Sequence, residues 1–170
     1  MLSVSRNPIL TPRLELRRTR TEDAAAMFDA LRDPLIYLYL PRRPPASVTE
    51  VERRFARVMA ETAPDRAEQW LNWTVWLRNT GAPLGTVEAT ISPNGGVSIG
   101  YLFDPRFWRR GFGREAVGAM RDHLMQCGAS AFEATIDIRN AGSRALVSSL
   151  GFRHAGTNGA DETWRLARLR

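Results

Sequence analysis

The sequence contains no lysine, and all 24 of its basic residues are arginine. Catalysis through a lysine amine and a phosphate loop built on a Walker-type lysine are both excluded. Cysteine is nearly as scarce. Cys127 stands alone, so an internal disulfide is impossible, and with His123 and His154 it makes too sparse a set for a zinc centre. We read Cys127 as a small buried hydrophobe near a helix end, and expect no metal. No stretch approaches the ~20 apolar residues of a membrane span. "MLSVSRNPIL" also lacks the apolar core of a signal peptide, so a cytoplasmic location without a membrane partner is expected.

What is present suits a folded protein, with 44% hydrophobic and 25% charged residues in a 170-residue chain. We expect one domain over 1–170, with a core at 11–156. The formal charge of +6 favours an anionic partner such as a nucleic acid or a phosphorylated small molecule.

Apolar periodicity sets out the elements. "PRLELRR" (12–18) alternates as a strand does, and Thr21 is placed as N-cap of a helix bearing Ala24, Met27, Phe28 and Leu31. "PLIYLYLPRRPPAS" (34–47) carries too many prolines for a regular helix. Ser47 and Glu50 then form a capping box for a helix running to Thr62. From Gln69 the period becomes two: "WLNWTVWLR", "LGTVEATI" and "VSIGYLFD" read as an antiparallel meander turned at "NTGAP" and "SPNGG". A helix starting near Arg114 stops at Gly128, a strand covers 131–138, a short helix covers 140–151, and "FRHAG" and "TWRLARL" close as strands.

"FWRRGFGREAV" (107–117) sits between strand and helix. Gly111 and Gly113 allow successive amides to turn toward one point, where the unpartnered amides and macrodipole of a helix N-terminus favour an anion. Arg109, Arg110 and Arg114 add planar phosphate-binding donors. A common tight turn explains the glycines equally well. The third glycine of a dinucleotide fingerprint is missing.

"IGYLFDPRFWRRGFGREAV" followed by "IDIRNAGSRALVSSLGFRHAG" resembles the GNAT superfamily of acyl-CoA N-acyltransferases, and most of all the branch named for ribosomal-protein N-terminal acetyltransferases. "TPRLELRR" and "LYLPRRPP" match that branch too. Trp108 departs from the Gln or Arg that opens the general superfamily motif, but an aromatic is usual in this branch. The resemblance implies an α/β (α+β) fold: a mixed, largely antiparallel sheet of about seven strands with a splayed central parallel pair, flanked by about four helices. It implies acetyl-CoA as cosubstrate, its pyrophosphate on the amides of Arg109, Arg110, Gly111, Phe112, Gly113 and Arg114, and its pantetheine arm beside Leu102 and Phe103. Asn140 and Ser143 match the family's "N-x-x-S". Asn140 would hold the arm, and also suits a helix N-cap, while Ser143 would assist the departing thiolate. Tyr37 and Tyr39 fall where relatives shape the acceptor site, with packing as the other reading, and Trp70, Trp73 and Trp76 read as core aromatics.

The reaction implied is direct attack by a primary amine in a ternary complex. Freeing an N-terminal α-amine of pKa ~7.7–8.0 at neutral pH costs about 1 kcal/mol, against about 4.6 for a lysine amine, so a weak base suffices for a protein N-terminus. Glu88, the lone acid of its strand, is the candidate, with Glu133 and Asp137 as alternatives. A small amine is the other acceptor class. An acyl-CoA sensor and a nucleic-acid-binding module are the competing functions, the latter weakened by arginines scattered along the whole chain. A monomer or homodimer is expected.

Overall fold

A computed structural model describes residues 2–61 and 67–167. Eight strands form one sheet in the order β1-β2-β3-β4-β5-β6-β8-β7: β1 (Ile9–Leu10), β2 (Leu14–Arg18), β3 (Gln69–Leu77), β4 (Pro83–Ile91), β5 (Gly96–Phe103), β6 (Ala131–Asp137), β7 (Arg153–Asn158) and β8 (Asp161–Ala167). All neighbours are antiparallel except β5 and β6. The expected seven strands become eight because β1, two residues within an apparent tail, pairs with Glu15 and Leu16. No periodicity can be read from two residues. Four α-helices flank the sheet: α1 (Ala24–Leu31), α2 (Val48–Met59), α3 (Phe112–Gln126) and α4 (Ala141–Ser149).

Alternation along the strands gives each face its own core. Leu14, Leu16, Leu71, Trp73, Val75, Val87, Ala89, Val97 and Ile99 join Ala116, Val117, Met120 and Leu124 of α3 and Val147 of α4. On the other face Trp76 and Leu102 receive Ala24, Met27 and Leu31 of α1 and Val51 and Phe55 of α2. Trp73 is fully buried, and Trp76 donates through Nε1 to Thr74 Oγ1 at 2.9 Å, so both act as packing residues.

Three helix starts depart from expectation. Thr21 opens a 3-10 turn (Thr21–Asp23), and α1 follows from Asp23, whose helical dihedrals leave no extended residue to cap with. Ser47 does cap α2, accepting from the Glu50 amide at 3.3 Å, but Glu50 reaches the amide of Ala46, at 3.0 Å, and so completes only half of the box. The third, α3, starts at Phe112 rather than Arg114. Thr62 and the last residues of "TWRLARL", Arg168 and Leu169, lie outside the described residues. No helix among the described residues is long and apolar enough to cross a membrane.

One titratable group lies awkwardly in this frame. His123, near the end of α3, has a buried Nε2 without a hydrogen-bond partner, and burial with the nearby Arg18 charge pushes its pKa below the ordinary value. A histidine depressed in the native state binds its proton more readily when unfolded. Stability should therefore hold above pH ~6.5 and decline as pH falls through and below it. Melting temperatures across this range should show the decline in the wild type and a flatter profile in His123→Gln. Identical profiles would mean that the ring titrates freely in the native state.

Candidate active site

The central parallel pair is short. β5 and β6 are in register only from Gly96↔Ala131 to Ser98↔Glu133. Beyond that, β5 stays with β4 as far as Phe103↔Gly85, and β6 stays with β8 as far as Asp137↔Asp161. Each strand follows its antiparallel partner, and a wedge opens between them. The backbone of β5 from Ile99 onward is thus a strand edge inside the protein, able to accept an extended chain.

At the end of β5 the chain makes a tightly held loop. Asp104, 2% exposed, accepts from the Arg106 amide at 2.9 Å and binds its guanidinium at 2.5 Å. Trp108 donates through Nε1 to the Phe103 carbonyl at 2.7 Å, so it anchors the loop to the strand. Arg109 (φ +57°) and Gly111 (φ +79°) then both adopt left-handed backbone. Such a residue outside a regular element is uncommon unless it is glycine, and the pair turns the chain into α3. The Glu115 amide, donating to the Gly111 carbonyl at 3.1 Å, makes the first helical bond, leaving the amides of Phe112, Gly113 and Arg114 ahead of it. Arg109, Arg110 and Arg114 are exposed around them.

Gly113 has a packing purpose that the sequence does not announce. A Cβ there would lie 2.8 Å from Leu146 Cδ1 and 3.3 Å from the Phe103 ring, so its bareness lets α4 and β5 close on α3. The Phe112 side chain is buried, and only its backbone faces the loop. Sequence reading also missed Arg13, which braces the loop from the bend just before β2. It binds Glu115 at 2.6 Å, donates to the Arg110 carbonyl at 3.1 Å and stacks 4.3 Å from the centre of the Phe112 ring. Its only trace was membership of "TPRLELRR".

The wedge has two chemically distinct faces. On the α3 and α4 side, Tyr101 OH lies 3.5 Å from the Ser143 carbonyl, and burial pushes its pKa up to about 12, keeping it a protonated donor. Asn140 caps α4, accepting from the Ser143 amide at 3.0 Å. Glu162, 8% exposed, is held through Oε2 by Arg144 and Trp164, both at 2.9 Å. Neither Tyr101 nor Glu162 was singled out from sequence, because Tyr101 meets a helix 42 residues later and Glu162 one 18 residues earlier, and such contacts have no periodic signature.

On the α1 and α2 side, Glu88 is half-buried and opposite Gly100 in the β4–β5 ladder. A Cβ on Gly100 would fall 2.5 Å from Glu88 Oε1, so the carboxylate occupies the space this glycine leaves, at the wedge border. Leu102 is buried in the core of this side. Tyr39 lies near the end of β6, with the Arg139 guanidinium 5.6 Å from its ring centre. Tyr37 is buried, and its hydroxyl donates to the Leu31 carbonyl at 2.8 Å, so its contact with an acceptor is replaced by packing. The other two acids are tied elsewhere. Asp137 is forked by Arg139, whose hydrogen bonds lower its pKa to about 2, and Glu133 pairs with Arg165 at 2.8 Å. A carboxylate so firmly ionised is a poor proton acceptor.

The comparisons with known proteins agree with this architecture. Residues 13–153 match the model of the acetyltransferase (GNAT) domain. An uncharacterised N-acetyltransferase, p20, from Bacillus licheniformis is 25% identical over 151 residues, covering 87% of this chain and 83% of its own. Among solved structures, the Salmonella typhimurium acetyl transferase that modifies the N-terminal serine of ribosomal protein L7/L12 superposes with a TM-score of 0.80 at 18% identity, over 95% of this chain and 99% of that one. The ribosomal-protein-S5-alanine acetyltransferase of Vibrio fischeri gives 0.77 at 20% identity, over 94% and 96%. With a family match spanning most of its length, the chain belongs to the GNAT family of acetyltransferases.

Proposed function

We propose that the whole chain, 1–170, is one acetyltransferase domain that moves an acetyl group from acetyl-CoA to a primary amine in a ternary complex, with a protein or peptide N-terminal α-amine as acceptor. The observation that carries this reading is the wedge: an anion-ready loop at its end, a carboxylate on one face and a protonated hydroxyl on the other. The fit to acetyl-CoA rests on the free amides before Glu115, the three exposed arginines and the unpaired edge of β5. Acetyl-CoA supplies an activated thioester. The backbone of Gly111 to Arg114 would hold its phosphates, and the β5 edge at Leu102 and Phe103 would align its arm. Asn140 already spends its carbonyl on the helix cap, so its side-chain amide is what remains for a ligand.

Glu88 would take a proton from the amine on its face. Tyr101 and Ser143 would donate hydrogen bonds to the sulfur on theirs, which lowers the burden on a thiol of pKa ~8.5. Support for an N-terminal acceptor comes from the branch resemblance and from the two ribosomal-protein acetyltransferases that share the fold.

Calorimetric titration tests the cosubstrate. Acetyl-CoA should bind wild type at one site and fail to bind Gly111→Trp, whose side chain would obstruct the loop. No binding by the wild type would sink the reading.

Transfer to serine- and alanine-initiated peptides tests the base. Glu88→Gln should lower kcat by roughly 10²-fold at neutral pH, with acetyl-CoA affinity kept. The defect should shrink as pH rises through ~8, where the α-amine loses its proton unaided. Gly100→Ala, which displaces the Glu88 carboxylate without removing it, should reproduce the defect. If both variants turn over as wild type does, Glu88 is not the base.

A further inference from the structure

Five arginines gather beside the proposed acceptor face. Arg53, Arg54 and Arg57 project from α2, and Arg42 and Arg43 lie in the loop before it. With Leu31, Pro45 and Val51, four of them line an open groove of about 460 Å³ between α2 and the end of α1. The one acid in the groove, Glu50, is already engaged by the Ala46 amide at 3.0 Å and by Arg43 at 3.3 Å. Arg42, Arg53, Arg54 and Arg57 form no ion pair among the described residues. Their charges reinforce one another. Arg42, outside the groove lining, interacts electrostatically with both Arg54 and Glu88, which places it between the groove and the carboxylate beside Gly100.

We propose that this groove binds an acidic segment of the acceptor polypeptide, carboxylates downstream of the amine lying on Arg53, Arg54 and Arg57 while the amine reaches Glu88. The inference rests on the reading of Glu88's side as the acceptor side, and adds to it a substrate class. Guanidinium groups pair with carboxylates through two parallel hydrogen bonds, and the three in the groove without an ion pair, Arg53, Arg54 and Arg57, make a site that an anion completes. The apolar lining is aliphatic. Leu31, Pro45 and Val51 suit a polypeptide, whereas single-stranded nucleic acid is held by aromatic platforms, and no lining residue of the groove is aromatic. Arg42 also ties the groove's Arg54 to Glu88, the proposed base, which a nucleic acid has no use for.

Binding can be read apart from transfer. Two serine-initiated peptides, one with a run of glutamates after the first residues and one with glutamines in their place, carry a C-terminal fluorophore. They are titrated by anisotropy against the CoA-loaded protein and against Arg53→Gln/Arg57→Gln, two exposed positions outside the proposed catalytic groups. The glutamate peptide should bind about tenfold tighter or more, lose that advantage in the double variant and weaken as salt rises. Equal affinity for the two peptides overturns the proposal, and so does a glutamate preference that survives in the variant. Tighter binding of an RNA oligonucleotide, lost in the same variant, would make the groove a phosphate surface and also overturn it. Acetylation assays separate the two readings. Turnover of both peptides alike leaves N-terminal transfer standing without the groove, while groove-dependent binding with no transfer to any peptide leaves the groove standing and removes the acceptor class.

Discussion

The constraint on which the rest depends is the early parting of β5 and β6. A parallel pair that ends after Ser98↔Glu133 leaves peptide groups in the middle of the sheet without ladder partners. Buried backbone donors and acceptors left unpaired are costly, so a gap of this kind is stable only when water or a ligand fills it. What keeps it open is the strength of the flanking ladders. β4–β5 and β6–β8 each run antiparallel to the far ends of their strands, and the side chains over the gap brace it from the third dimension. Leu146 reaches into the space of Gly113, and Tyr101 reaches α4 at Ser143.

The same parting sorts the chemistry. Alternation along β5 sends Tyr101 to the α3 and α4 face and leaves Gly100 on the other, where Glu88 fills the vacated volume. One residue of strand thus separates the acid-side and base-side groups by the thickness of the sheet. Under the proposed reaction an amine and a thioester would approach from opposite faces and meet only in the wedge. An unpaired carboxylate near the sulfur would be repelled by the departing thiolate, so holding Glu88 on the other face while Arg144 neutralises Glu162 on this one has a direct electrostatic benefit.

Legibility from sequence followed the range of each interaction. The meander, the glycine loop and the Asn140 cap were readable because their signals are local: period two, two glycines before an apolar helix, an asparagine three residues ahead of the amide it accepts from. The family pattern supplied the splayed pair, which no local signal announces. Arg13, Tyr101 and Glu162 were invisible because each acts on a partner many residues away. The packing role of Gly113 was hidden for the same reason. A glycine in a loop suggests a ligand's approach, and only the position of Leu146 reveals a packing role. Tyr37 was assigned by neighbourhood, and its hydroxyl turned inward to Leu31 because an uncapped helix end offered a carbonyl there.

The absence of lysine takes on meaning beside this site. Any protein that handles an acetyl thioester and carries exposed ε-amines presents its own side chains as competing acceptors. An arginine guanidinium holds its positive charge at every physiological pH and offers no free amine to attack a carbonyl. The loop at Arg109, Arg110 and Arg114 and the groove on α2 therefore concentrate positive charge on both sides of the wedge without placing a reactive nucleophile there. Under the proposed reaction, charge that gathers anions and chemistry that consumes amines coexist in one chain because arginines cannot be substrates.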